Sequence, residues 1–216
     1  MKISNIVSAL LLGTVVAFSG CGSDDDSMNE TTYTYSVSVT NVTAGQPMSP
    51  VLVTSNSIFS VGQSASVALE KLAEGGDNSE LLDTNGVSGA GLLTPGSSET
   101  LELTTTSKTI SLATMLVKTN DGFAGVNELD LSALSVGEST TLYASVYDSG
   151  TEANSETNTT VAAFGVEGFS ATRDDSDIVT LHSGVISNED GLASSALTAQ
   201  EKFSSQALYV NVTRTK

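Results

Sequence analysis

What most constrains this chain is a set of short runs in which apolar and polar residues alternate one by one, each closed by glycine or small polar residues. "YTYSVSVTNV" places Tyr33, Tyr35, Val37 and Val39 on one face and Thr and Ser on the other. "ETLELTTT" alternates Leu101 and Leu103 with polar neighbours. "TTLYASVY" sets Leu142, Ala144 and Val146 on one side, and "QALYVNVT" does the same with Leu208, Val210 and Val212. A period of two marks a strand with one buried and one wet face. "TISLATMLV" and "TVAAFGV" are apolar more continuously, as in strands that are better covered. One segment departs from this rule: "SASVALEKLAEGGD" spaces Ala65, Leu69, Leu72 and Ala73 as a helical stripe. With Gly75 as a C-cap, it predicts a short helix from about Ser64 to Glu74. "GLASSALTAQEKF", near Leu192–Phe203, is a weaker second helical candidate. "DNSELLDTNGVSGAGLLTPGSS" reads as a long loop with some order in it. Many short strands, no internal repeat and no alternation of strand with helix predict a mainly all-β fold. The expected form is an antiparallel β-sandwich with one or two short helices.

The chain opens "MKISNIVSALLLGTVVAFSGC". Lys2, the apolar run Ile6 to Phe18 and the small residues before Cys21 form a charged, an apolar and a cleavage region, which predicts a secretory signal over 1–20. The apolar run is short for a membrane span of about 20 residues. Cys21 is the only cysteine. Its setting after Phe18-Ser19-Gly20 resembles the bacterial lipobox, with Phe18 where Leu is more usual. That resemblance implies lipidation of Cys21 and anchoring to the outer membrane of a bacterial envelope, facing the periplasm or exposed at the surface. Two or three acyl chains would make such anchoring stable. "GSDDDSMNETT" is acidic and lacks large apolar groups, so residues 21–32 are expected to be a tether. Residues 33–216 are then one domain, and no cysteine is left for a disulfide.

The chain carries 8 basic and 25 acidic residues, a net charge of −17. Loss of Lys2 with the leader makes it more negative still. Nucleic-acid binding rests on Lys and Arg displacing counterions, so the composition argues against that partner. It suits cations instead.

Two loops concentrate the acids beside glycine, each after an apolar run: "TNDGFAG", with Asp121, and "YDSGTEANSE", with Asp148 and Glu152. Carboxylates at the ends of two strands can meet at one rim. Oxygen ligands from such loops, with backbone carbonyls, suit a hard cation such as Ca²⁺, which takes 6–8 of them. The spacing is not that of an EF-hand. Asp-Gly and Asn-Asp are also ordinary turn formers.

Taken in order, "SVSVTNVTAGQPMSP", "FSVGQSASVALEKLAEGGD", "ATMLVKTNDGFAG" and "YDSGTEANSE" resemble the spondin N-terminal domain family in its bacterial form. "LHSGV" and "ALYVNVTR" also fit, so the resemblance spans roughly Tyr33 to Thr213. In the extracellular animal members, F-spondin and mindin, the domain is an antiparallel β-sandwich used in matrix adhesion. It binds a calcium ion through acidic residues. The resemblance carries the first acid onto Asp121. It carries a "YDAGTD"-like motif onto "YDSGTE", which implies Asp148 and Glu152 as the other ligands. Ser149 stands where that motif has Ala. Glu152 stands where it has Asp, keeping the carboxylate on a side chain one methylene longer. The cysteines of the animal domains are missing.

Catalytic readings are weaker. The single histidine, His182, neighbours Ser183, with Asp174, Asp175 and Asp177 nearby in sequence. A catalytic triad is a matter of geometry, not of nearness in sequence, and no G-x-S-x-G elbow is present. His182 therefore reads as structural. Zinc sites mostly need nitrogen or sulfur ligands that this chain lacks. Some acid pair will fall at glycosidase spacing in any acidic chain, but there is no Trp to stack on a sugar. Arg173 among the Asp residues of "SATRDDSDIV" reads as a solvated loop. The expectation is a non-enzymatic, calcium-binding cell-surface module with an extracellular protein or glycan as ligand. The alternatives are a structural envelope lipoprotein and, behind it, a carboxylate-dependent hydrolase.

Overall fold

The alternating runs become paired strands. The computed structural model describes residues 30–165 and 168–216, and the expected signal segment, Cys21 and most of the tether lie outside them. Tyr33–Asn41 forms β1, with Tyr35, Val37 and Val39 fully buried. Leu52–Thr54 is β2, Val67–Gly75 is α1 and Val87–Ser88 is β3. Ser98–Thr105 is β4, Thr109–Met115 β5, Gly122–Asp130 β6 and Ser139–Asp148 β7. The two-residue β8, Thr180–Leu181, and β9, Gln206–Arg214, complete the set.

All pairings are antiparallel and belong to one sheet, ordered β3-β2-β5-β6-β7-β9-β1-β4, with β8 on β7. The all-β antiparallel expectation holds. The sheet is a single curled path, however, not two stacked layers. β4 at one end of the path approaches β3 and β2 at the other, so the sheet nearly closes into a barrel. Closure protects edges that an open sheet would leave unpaired. No helix among the described residues is long and apolar enough to cross a membrane.

Two apolar clusters explain the two kinds of strand. The barrel interior holds Tyr35, Val37, Leu112, Val146, Val210 and Val212 among others. The second cluster packs Leu69, Leu72 and Ala73 of α1 against Leu52, Ala113 and Phe123 on the outer face of β2, β5 and β6. β5 is therefore buried on both faces, which is why "TISLATMLV" lacks a polar alternation. α1 starts at the Ser66 cap, whose hydroxyl accepts from the Leu69 amide at 3.1 Å. It ends one residue later than its spacing predicts: Gly76, at φ 71°, is the left-handed cap.

Two expectations change. "TVAAFGV" is not a strand: Val161 is buried, but Ala162–Phe164 is a 3-10 turn closed by Gly165 at φ 75°. The second helical candidate yields only the 3-10 turns Asn188–Asp190 and Ala199–Glu201. Each of those turns is stopped after three residues, its Ser or Thr cap bonded back to an acid.

Strand direction gives the barrel two poles. β1 begins, β7 begins and β9 ends at one pole, where Ser139 pairs with Thr213 and Tyr35 with Arg214. β6 begins and β7 ends at the opposite pole, where Gly122 pairs with Asp148. The chain therefore enters at Tyr33 on the far side from both acidic loops.

Candidate cation site at the loop pole

Asp121 directly precedes β6, and Asp148 is the last residue of β7. Pairing of Gly122 with Asp148 brings both carboxylates to one rim, while Thr180 of β8 flanks Asp148 on its other side. Two tight turns set the approach. A Cβ at Gly122 would lie 2.6 Å from the Thr119 hydroxyl and 3.0 Å from the His182 ring. Gly150, at φ 73°, brings the chain so near Ile178 that a Cβ would lie 2.5 Å from its carbonyl oxygen. The Gly150 amide donates to Asp148 Oδ1 at 2.8 Å, the Asx turn expected of such a sequence.

Burial at this rim is severe. Asp121 is fully buried, and Asp148, Glu74 and Glu156 are each exposed by less than a tenth. Asp121 Oδ2 accepts from the Ser149 hydroxyl and the Thr151 amide, both at 2.8 Å, and from the Glu152 amide at 3.1 Å. Glu74, from the end of α1, accepts from the Thr151 hydroxyl at 2.7 Å and from the Ser170 amide at 2.8 Å. Asp148 Oδ2 accepts from the Asn154 side chain at 2.6 Å. Glu156 Oε1 accepts from the Ile186 amide at 3.3 Å, and its own amide donates to Asn120 Oδ1 at 3.2 Å.

Several buried atoms are left over. Asp121 Oδ1, Asn154 Oδ1 and Glu156 Oε2 have no hydrogen-bond partner, nor does His182 Nε2. Among the described residues, no ion pair reaches Asp121, Asp148, Glu74 or Glu156. Burial raises the Asp121 carboxyl to about 6, with the Asp148 charge adding to the rise. Burial, again helped by Asp148, raises Glu156 to about 7. Glu74 is raised mainly by burial.

His182 is nine-tenths buried and packs edge-on against Phe203 at 5.1 Å. Its Nδ1 accepts from the Gly184 amide at 2.9 Å, so Nε2 carries the proton. Burial holds its pKa below the usual value against the pull of Asp148. Neither nitrogen has a free lone pair for a metal, and Ser183 is exposed.

The acids therefore converge in part. Asp121 and Asp148 meet at the rim. Glu152 meets Asp121 through its backbone amide, while its side chain lines a neighbouring cleft of about 310 Å³ with Asn120, Ser155, Ser170, Thr172 and Asp174. Among the described residues, no three His, Cys, Asp or Glu side chains form a group that could by itself hold a metal ion. The donors on offer are mixed: two carboxylates, with unpartnered carboxylate and amide oxygens beside them. Oxygen is the donor type that hard cations such as Ca²⁺ take, whereas zinc sites mostly use nitrogen and sulfur. Glu74, Asn154 and Glu156 were not anticipated as part of the rim, although "YDSGTEANSE" ends on Glu156. No protein-family model matches the chain, and no curated protein matches it in sequence.

Proposed function

We propose that the protein is a non-enzymatic binding module of the spondin type. In this reading Asp121, Asp148 and Glu152 hold a Ca²⁺ ion at the loop pole. The chain is exported and tied through lipid on Cys21 to the outer membrane. The observation that carries the reading is the burial of Asp121, Asp148, Glu74 and Glu156 near one pole, where no ion pair among the described residues reaches them. Like charges taken out of water repel strongly, and an ion among them would relieve that repulsion. Once ordered by the ion, the loops form a fixed surface on a rigid barrel, where binding residues are commonly found. The cleft shares Asn120 and Glu152 with the rim, and a protein or glycan ligand would meet the ion there. The described domain begins at the opposite pole, so a tether there would leave this end open to a ligand.

The test is calcium titration by calorimetry, with thermal melts, on the full-length chain in detergent. Saturable binding that raises the melting temperature and is lost in Asp148→Asn is the expected result. No heat at millimolar calcium would leave the loops as turns and favour a purely structural envelope lipoprotein.

A further inference from the structure

We propose that the outer face of β4, β1, β9 and β7 binds a neutral glycan chain, laid across the strands with one sugar ring against Tyr143. This face is on the barrel wall, includes none of the loop-pole acids and needs no cation.

α1 packs on the outer face of β2, β5 and β6. On β4, β1, β9 and β7 strand register sets the outward side chains in rows. Thr100, Ser38, Asn211 and Thr141 lie side by side in one row. Ser98, Thr40, Tyr209 and Tyr143 form the next. All of them are half-buried or exposed, so the rows face solvent. Neighbours within a row stand about 4.8 Å apart, and successive rows about 6.7 Å apart. A third row contains Glu102, opposite Ser36, and it is the single charge in the three rows.

The chemistry of the rows specifies the occupant. Their hydroxyl and amide groups both donate and accept, as sugar hydroxyls do. Cross-strand bonds hold some of them in place: Thr40 with Ser98 at 2.7 Å, and Ser139 with Thr213 at 2.8 Å. Groups fixed before binding lose less freedom on binding. Tyr143 is 49% exposed and meets Tyr209 edge-on at 5.3 Å, so an aromatic ring stands in water at the end of a polar row. The C–H face of a sugar can pack on such a ring while its hydroxyls reach the rows. Charge argues against other occupants. The net charge of −17 repels an anionic polymer and a second copy of the chain. A cationic partner would find only Glu102 on these rows, although the chain has 25 acidic residues. A neutral polyhydroxyl chain matches a face that is rich in hydroxyls and nearly free of charge.

Calorimetry on the full-length chain in a zwitterionic, sugar-free detergent tests this, with cellohexaose, xylohexaose and mannohexaose as probes and excess chelator present. Saturable binding to at least one of them is expected; binding to none would overturn the proposal. Tyr143→Ala is expected to weaken binding by about tenfold, as loss of an aromatic anchor does, while Tyr143→Phe keeps the ring and most of the affinity. Thr141→Arg, which lays a long side chain across the middle row, should also weaken it. The control Val61→Ser, an exposed position outside the face, should stay within about twofold of wild type. Circular dichroism checks that each variant is folded. Folded Tyr143→Ala and Thr141→Arg that both bind within about twofold of wild type would overturn the proposal. So would tighter binding to heparin than to any neutral probe. Glycan binding that appears only when calcium is restored would move the ligand to the loop pole, overturning this site and leaving the cation reading standing.

Discussion

At Glu156 and Asp121 the fold keeps protons that an unfolded chain would release. Their carboxyls sit at about 7 and about 6, above the ordinary carboxylate range. Between that range and neutrality the folded chain binds more protons than the unfolded one. Stability without calcium therefore falls as pH rises through this window. His182 acts with the opposite sign. Its lowered pKa means that acid favours the unfolded state, but it is one group against three, because burial raises Glu74 as well. Repulsion from Asp148 adds to the cost as Asp121 and Glu156 ionise. Calcium-free protein should melt several degrees higher at pH 5 than at pH 8, and saturating calcium should shrink or reverse that difference. A calcium-free protein more stable at pH 8 would reject this account. Asp121 and Asp148 were legible in the sequence because an acid beside glycine at a strand end signals a rim. Glu156 was not, because no spacing rule says that the eighth residue after Asp148 turns inward and is buried.

α1 is clamped by Arg173, a cation from the segment between β7 and β8. Arg173 donates through Nε to Glu70 Oε1 at 3.1 Å, and through Nη2 to Glu70 Oε2 at 2.7 Å and the Ala65 carbonyl at 2.9 Å. It also pairs closely with Asp177. Glu70 is 2% exposed, so removing its partner strands a buried charge. Arg173→Ala should cost about 3 kcal/mol, the low end for a broken buried pair because Arg173 retains some exposure. The double variant with Glu70→Gln should recover part of it. Denaturant unfolding reads both, and a loss under about 1 kcal/mol for Arg173→Ala would reduce the clamp to an ordinary surface pair. The sequence reading took this arginine for a solvated loop residue, since its partner lies on a helix far away in the chain. Strands with clean alternation, such as β1 and β9, were legible. So was α1, where Leu69, Leu72 and Ala73 repeat at helical spacing. "TVAAFGV" misled because an apolar run followed by glycine fits a strand and a 3-10 turn equally well. Curling of the sheet was not legible either. It depends on β4 returning to β3 and β2, a long-range meeting that no local pattern encodes.

On the scale of the molecule, the first and last strands lie side by side. β1 runs between β4 and β9 along almost its whole length, and the Thr34 carbonyl accepts from the Thr215 amide at 2.8 Å. Each direction of pull then meets a different mechanical element. Force applied between Tyr33 and the loop pole runs along β1, so its hydrogen bonds on both flanks must shear together. Force applied between Tyr33 and Lys216 draws two neighbouring ends apart, and β1 peels from β9 one bond at a time. Single-molecule pulling should give a much higher rupture force for the first geometry than for the second, and equal forces would contradict the paired arrangement of β1. A chain held at its beginning and loaded at the far rim would thus bear tension in its stronger direction.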